Sequence, residues 1–191
     1  MKLVTINKQI ITIMLVVLIV LPVITRGQNS EGSSSLAFTI PEIALLDIEP
    51  SGISNITLSL TTDTESGLPV TAAGAVNSDL WINYTSCLAT GSNNRSVTVQ
   101  IASGTVPNGV TLTLQPSAYS GSGQGSTGTP TGPVTLSATP QVLINAIGRC
   151  YTGNGPSNGH RLNYSLSISD YSALRYDASS TIQIAFTLTD N

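Results

Sequence analysis

Few residues of this sequence could carry out covalent chemistry. Its 191 residues include a single histidine, His160, and two cysteines. Any Ser-His-Asp or Cys-His mechanism would have to use that histidine as its base. It lies between Gly159 and Arg161 at the end of a Gly- and Asn-rich stretch, without the strand, sharp turn and helix that surround a catalytic nucleophile. The sequence therefore favours a turn histidine over a catalytic one.

The ten acidic residues show no spacing that singles out a catalytic or metal-binding pair. Two carboxylates placed as in glycosidases would have to be brought together by folding, which the sequence does not indicate. No Asp-x-Asp-x-Asp-Gly calcium loop occurs, and one histidine with two cysteines supplies too few soft ligands for a zinc site. We therefore predict a protein that is not an enzyme and that requires no metal or cofactor.

A Ser- and Gly-rich stretch occupies residues 119–133. Within it, Gly123, Gly125 and Gly128 match the letters of a dinucleotide-binding motif. That motif requires a helix to begin at the last glycine, whereas Thr129-Pro130 follows here. The composition of the stretch predicts a flexible, low-complexity loop instead.

The two cysteines, Cys87 and Cys150, are predicted to form a disulfide. Cysteines of exported proteins are commonly paired, and a bond that closes so long a loop would stabilise the fold by about 4 kcal/mol in the chain-entropy model. Free thiols and metal ligation are the alternatives.

The aromatic residues are candidates for ligand stacking. Leu80, Ile82 and Tyr84 share one face of an alternating stretch, and Trp81, the only tryptophan, lies on the other face. A tryptophan in a strand usually serves as a packing anchor. The alternative is that Trp81, Tyr84 and Tyr119 provide stacking surfaces for a carbohydrate or another ligand.

The N-terminus has the pattern of a secretory signal peptide. Lys2 and Lys8 precede the apolar run 10–21, and the small or polar residues 25–27 follow it. A retained membrane helix is the alternative, but the run is shorter than the roughly 18 residues that a membrane span needs. We predict that residues 1–27 are cleaved, that no membrane span is retained, and that the protein is secreted or extracytoplasmic.

Cleavage would leave an acidic chain with very few cations. Lys2, Lys8 and Arg26 would be lost, so four arginines would stand against ten acidic residues, for a net charge of -6. Binding to nucleic acid or anionic lipid depends on neutralising phosphates with Lys and Arg. The composition therefore excludes nucleic acid as a partner and makes anionic lipid a poor one.

Alternation of apolar and polar residues dominates the rest of the chain. In Arg95–Gln115, two alternating stretches flank a Gly/Pro/Asn connection, which predicts a β-hairpin. Ile56–Thr61 predicts another strand on the same grounds. No stretch after the signal peptide has a sustained helical period. We therefore predict one all-β domain, residues 28–191, folded as an Ig-like antiparallel β-sandwich of two sheets with about 8–11 strands.

These features resemble the subunits of chaperone-usher-type fimbriae and related bacterial surface β-sandwich proteins. The likeness rests on the export junction at Gln28-Asn29, the lysine-free Ser/Thr/Gly-rich composition and the predicted sandwich with one disulfide. Asp190 is penultimate where those subunits carry a tyrosine. The resemblance implies a non-enzymatic surface, fibre or adhesin-type subunit at the cell surface or in the periplasm of a bacterium. Its partners would be other copies of itself or surface glycans.

The N-terminal run 36–40 alternates and is a candidate for strand exchange between subunits. Joining a neighbouring subunit would place Leu36, Phe38 and Ile40 in that subunit's core, with the main chain supplying hydrogen bonds. The alternative is that the run pairs within its own sheet.

Overall fold

A computed structural model describes residues 9, 32–52, 55–177 and 180–191. The predicted signal peptide, residues 1–27, lies outside the described residues except for Gln9. Among the described residues, no helix is long and apolar enough to cross a membrane. The chain divides into two compact units, residues 1–39 and 40–191. In the first unit, the described residues 32–39 contain no strand or helix.

The second unit consists of β-structure. Its described residues form nine strands: β1 (Ile43–Glu49), β2 (Val76–Cys87), β3 (Arg95–Ser103), β4 (Val110–Pro116), β5 (Gln124–Pro130), β6 (Val134–Thr135), β7 (Gln141–Tyr151), β8 (His160–Ile168) and β9 (Gln183–Asp190). One 3-10 turn, Tyr171–Ala173, precedes β9. The side-chain carboxylate of Asp170 accepts a hydrogen bond from the backbone N–H of Ser172 and so caps this turn.

All strand pairs in the described part of the chain are antiparallel, and hydrogen bonds join the nine strands into one sheet. The strand order is β6-β4-β8-β2-β7-β3-β9, with β1 paired to β2 and β5 paired to β7. The predicted all-β, antiparallel fold is therefore confirmed. The predicted hairpin over residues 95–115 is wrong, because β3 and β4 pair with other strands. β3 lies between β7 and β9, whereas β4 lies between β6 and β8.

Two long strands change partners along one edge. β2 pairs with β8 through Val76–Ile82 and then with β7 through Thr85 and Ser86. β7 pairs with β3 through residues 141–147 and then with β2 through Cys150 and Tyr151. The sheet therefore branches where the ends of β2 and β7 meet.

The hydrophobic core follows from the two-residue period of the strands. Alternate residues of a strand point to opposite faces, and in β2 the buried set is Leu80, Ile82 and Tyr84. Val97 and Val99 of β3 are buried in the same cluster. The core also contains residues of β4, β7 and β8: Leu112, Leu114, Leu143, Ile144, Ile147, Leu162 and Tyr164.

The predicted flexible loop in the Ser/Gly-rich stretch is wrong, because residues 124–130 form the edge strand β5 on β7. Its glycines allow the two backbones to approach closely. A Cβ atom at Gly123 would overlap the carbonyl oxygen of Tyr151, and one at Gly125 would overlap that of Arg149. The glycine pattern that matches a nucleotide motif is therefore a packing requirement of this strand pair.

The predicted strand Ile56–Thr61 is not formed. Ile56 and Leu58 pack against the core, as their alternation requires. Within the described residues, however, segment 55–60 makes no backbone–backbone hydrogen bond, and Thr61 forms only an isolated bridge with Thr71. Alternation set which side chains are buried, but a strand also needs a partner of matching register.

Candidate functional site

The N-terminal segment 32–42 precedes β1 and belongs to no strand. Its alternating apolar side chains are largely exposed: 76% for Leu36, 81% for Phe38 and 82% for Ile40. Large exposed apolar residues on alternate positions of an unpaired segment are typical of a surface that binds a partner.

β1 and β9 are edge strands of the described sheet. Each is paired along one edge only, β1 with β2 and β9 with β3. The residues that they turn toward the core are only partly buried: Leu46, Ile48, Ile184, Phe186 and Leu188. Ile56 and Leu58 are partly buried against the same core. The molecule thus combines two unpaired edges with apolar side chains that its own chain does not fully cover.

A buried arginine joins the start of β1 to the end of β9, next to these two edges. Arg95, at the start of β3, is 2% exposed. Its Nη2 lies 2.5 Å from a carboxylate oxygen of Glu42, and its Nε lies 2.6 Å from one of Asp190. Its Nη1 donates to the carbonyl oxygen of Ile43 at 2.5 Å and to Ser86 Oγ at 3.2 Å. The guanidinium thus ties β1, β2, β3 and β9 together, an arrangement named here the Arg95 clamp.

The clamp is a structural feature that reasoning from the sequence missed. The sequence contained one indication of it: Arg95 is one of only four arginines after residue 27, and it stands at the beginning of an alternating strand. The carboxylates that meet it are distant in sequence. Only the pairing of β3 with β9 and the position of β1 bring Glu42 and Asp190 to it.

The predicted disulfide is not formed, since Cys87 and Cys150 are both free thiols. In the register of β2 and β7, Cys150 lies opposite Ser86. Neighbouring residues of a strand point to opposite faces, so Cys87 faces away from Cys150. Cys150 is buried in the core, and Cys87 is half-buried on the other face. A bond between them would require β2 to shift by one residue, which would turn its core residues outward.

Two of the three predicted stacking aromatics belong to a buried polar cluster with His160. Tyr84 is 3% exposed, and its hydroxyl lies against the carbonyl oxygen of Thr127 and the imidazole of His160. The Tyr119 hydroxyl donates to the carbonyl oxygen of Thr152 and accepts the N–H of Gly123. Both rings pack against the imidazole, with centroid distances of 5.9 and 6.0 Å. These tyrosines hold loops to the core and do not offer a shared ligand platform.

His160 itself is fully buried and is the first residue of β8, so its predicted place in a turn is corrected. Its Nδ1 lies 2.9 Å from the carbonyl oxygen of Ser117 and must donate to it, because a carbonyl only accepts. Its Nε2 lies 2.8 Å from the Tyr84 hydroxyl. Burial lowers the pKa of His160, against the two carbonyl contacts that favour its charged form, and burial also raises the pKa of Tyr84 above its ordinary value.

The letters Gly155-Pro156-Ser157-Asn158-Gly159 match a Gly-x-Ser-x-Gly motif, which the sequence argument overlooked. Ser157 has a positive φ of 68° and is exposed in the loop between β7 and β8. A strand follows this loop, where the nucleophile elbow requires a helix. Both ring nitrogens of His160 have other partners. The arrangement therefore lacks the serine–histidine hydrogen bond on which nucleophilic catalysis depends.

Trp81 lies apart from the two tyrosines, on the outer face of β2, where it is half-buried. Across the strand pairs, its neighbours are Arg161 on β8 and Glu49 on β1. The guanidinium carbon of Arg161 lies 5.9 Å from the centre of the indole ring, a cation–π contact. The Nε of the same arginine donates to the carbonyl oxygen of Ser78 at 2.5 Å.

Two clefts lie on the described surface. One of about 190 Å³ is lined by residues 61–63, 68, 69 and 71, and the other of about 300 Å³ is lined by residues 105–108, 175–177 and 180. The described residues contain no group of three or more His, Cys, Asp or Glu side chains that could hold a metal ion.

Comparison with known proteins gives no match: no family model matches the chain, nor does any curated protein or any solved structure. The fold and the arrangement of its residues therefore define the protein only as an antiparallel all-β chain with an exposed apolar N-terminal segment.

Proposed function

We propose that this chain is a secreted, non-enzymatic structural subunit of a bacterial surface fibre or adhesive structure, and that it assembles with copies of itself through its N-terminal segment. Residues 36–40 of one subunit add as a strand to a neighbour. The observation that carries this proposal is the exposure of Leu36, Phe38 and Ile40 on alternate positions of an unpaired segment.

The proposal includes a two-layer arrangement of the branched sheet, in which one layer is β6-β4-β8-β2-β1 and the other is β9-β3-β7-β5. The partner changes of β2 and β7 support it, because each strand passes from one layer to the other at its end. In this arrangement β1 and β9 flank the same side of the core, consistent with their proximity and with their shared link to Arg95.

The neighbour receives the added strand on that side. The unpaired edges of β1 and β9 offer main-chain donors and acceptors, and the partly buried residues Ile48, Ile56 and Phe186 offer an apolar floor. Burying a large apolar side chain contributes about 1.5–3 kcal/mol. Three such residues, together with a row of main-chain hydrogen bonds, would make a stable joint between subunits.

The test replaces Phe38 with Asp in the mature chain, because a carboxylate cannot enter an apolar site without a large desolvation cost. We expect the wild-type chain to form assemblies in sedimentation velocity and Phe38→Asp to remain monomeric. Its unfolding midpoint should be unchanged, since Phe38 is 81% exposed. Thr39→Asp is the matched control: the residue is adjacent but points the other way in an extended segment, so this variant should assemble.

Two results would contradict the proposal. One is a wild-type chain that stays monomeric at all concentrations, and the other is a Phe38→Asp variant that assembles as well as the wild type. Electron microscopy of material shed by the producing cells, with an antibody to this chain, would show whether the assemblies are filaments.

Carbohydrate binding at Trp81 is the second candidate function, supported by its half-exposed ring and by the fixed guanidinium of Arg161 beside it. On a glycan array, binding should be lost in Trp81→Ala and kept in Tyr151→Ala, which removes an exposed aromatic ring elsewhere. Absence of any glycan binding by the folded wild-type chain would eliminate this candidate.

A further inference from the structure

Charged residues are absent from one long part of the sequence. From Ser96 to Gly148 there is no Asp, Glu, Lys or Arg, and the same holds from Thr181 to Thr189. These stretches contain β4, β5 and β6 in full, β3 and β9 nearly in full, and most of β7. The stretch that holds β9 is separate along the chain from the stretch that holds the other strands.

The fold places four of these strands next to one another in the order β9-β3-β7-β5. Their core-facing residues are apolar, and their other face is turned outward. Thr187, Thr98 and Val142 form one row across β9, β3 and β7. Thr187 is exposed, and Val142 is 44% exposed. We name this outward surface of β9, β3, β7 and β5 the charge-free face. The charged residues of these strands, Arg95, Asp190 and Arg149, all lie toward one end of it, because Arg95 pairs with both Asp190 and Ile147.

Exposed sheets of soluble proteins are usually protected from association by charged side chains, especially lysine. The charge-free face has none, and the edge strand β5 consists of Gly, Ser, Thr, Gln and Pro. Its Thr hydroxyls and its exposed valine lose little on dehydration when they meet a surface of the same kind. A carboxylate or ammonium in their place would lose far more.

Four of the seven charged residues in the nine described strands lie on β1, β2 and β8, whereas β4 and β6, like β5, carry none. Asp47 and Glu49 are on β1, Asp79 is on β2, and Arg161 is on β8. Acidic residues outnumber cations in the chain, so two copies that met through those strands would repel each other. Contact between two charge-free faces brings like subunits together without this repulsion.

We propose that the charge-free face binds the charge-free face of a second copy of this chain, so that subunits associate laterally. The inference rests on the proposed self-assembly for the identity of the partner, but it uses a different surface from segment 36–40. A fibre built by strand addition would thereby gain contacts between neighbouring linear rows of subunits.

The experiment is done in the Phe38→Asp background, which removes strand addition. We expect this protein to form a reversible dimer in sedimentation equilibrium. Adding Thr187→Glu or Thr187→Lys should weaken dimerisation at least about tenfold in either case, because an unpaired charge of either sign is costly in a neutral interface. Thr187→Ser should dimerise as before.

The matched controls are Ser167→Glu and Ser167→Lys, at an exposed position of β8 outside the charge-free face. They should leave dimerisation unchanged. If Glu at position 187 weakens association while Lys strengthens it, the effect is net charge and the proposal is overturned. Equal association of Thr187 and Ser167 variants would overturn it as well.

A Phe38→Asp chain that is monomeric up to about millimolar concentration also overturns the proposal, since that range is the limit of weak specific association. If that monomer cosediments with microcrystalline cellulose and the Thr187 variants do not, the charge-free face binds a neutral polysaccharide instead. Failure of strand addition gives a different result, because Phe38→Asp would then assemble as the wild type does. The Thr187 variants would still show whether the charge-free face contributes to association.

Discussion

Arg95 is the residue on which the two ends of the folded unit depend. Its guanidinium is buried, but the two carboxylates it contacts are half-exposed, at 47% for Glu42 and 56% for Asp190. The carboxylates can regain water when the arginine is removed, whereas the carbonyl oxygens of Ile43 and Cys87 lose a buried donor. Its contribution is therefore a structural link between strands more than a surface ion pair.

We predict that Arg95→Met lowers the free energy of unfolding by about 3 kcal/mol, the lower end of the range for breaking a buried pair. Chemical denaturation measures this change. Arg149→Met, at an exposed position of β7, serves as the control and should cost less than about 0.5 kcal/mol. Equal stability of the two variants would show that the clamp contributes nothing.

His160 makes stability depend on pH. Its pKa in the folded chain is lowered from 6.5, chiefly by burial. As the pH falls through 6.5, the unfolded chain therefore takes up a proton before the folded chain does. The stabilisation is complete above this pH and is lost progressively below it, until the folded pKa is reached.

We predict that the wild type becomes less stable as the pH falls from 7.5 to 5.5, because the unfolded chain binds a proton over this range more readily than the folded chain does. Denaturation curves over this range, above the usual pKa values of Asp and Glu, measure the loss. His160→Gln should show a flatter dependence. If that variant does not fold, NMR titration of the wild-type imidazole gives the answer, and a native pKa at or above 6.5 would refute the prediction.

At the scale of elements, β5 shows why composition misled the sequence argument. A stretch rich in Gly, Ser and Thr has low strand propensity and reads as a loop. Its glycines remove the side chains that would prevent close approach to β7, and the pairing then supplies the main-chain hydrogen bonds that a loop would lack. The strand exists because of its neighbour.

We predict that Gly123→Ala destabilises the protein by about 1–3 kcal/mol, in the range of overpacking in a tight site. The added Cβ would overlap the main-chain carbonyl of Tyr151. Gly52→Ala is a matched control, since a Cβ at position 52 has no described atom within 4 Å and neither glycine has a positive φ. Thermal unfolding of both variants checks this, and equal midpoints would mean that β5 readily moves away from β7.

At the scale of the whole molecule, the register of the sheet determines where the two cysteines lie. They lie on opposite faces of β2 and β7, so the fold does not need a covalent link between them. Burial also raises the pKa of the Cys150 thiol to about 11, which leaves little of the reactive thiolate near neutral pH.

We predict that a reducing agent leaves the unfolding midpoint of the purified protein unchanged. In the native state, iodoacetamide should modify the half-buried Cys87 first and Cys150 only slowly, as peptide mass spectrometry would show. Unfolding should make both thiols react. Intact mass after denaturation without reductant that reveals no alkylatable thiol would restore the disulfide and contradict the observed register.

The sequence by itself determined the class of fold and the core faces of most strands. The two-residue alternation of Leu80, Ile82 and Tyr84 was enough to identify their common buried face, because burial follows the pleat of a strand directly. The same reasoning selected Leu36, Phe38 and Ile40 as a strand-like apolar set. Their exposure is the observation on which the proposed function rests.

Only the tertiary structure decided which strands pair, and with it the features that depend on pairing. The register of β2 and β7 separated the cysteines, and the meeting of β3 with β9 brought Asp190 to Arg95. The order β9-β3-β7-β5 assembled the charge-free face from separate parts of the chain. Alternation records only whether a side chain faces the core, whereas the choice of partner depends on contacts between residues far apart in sequence.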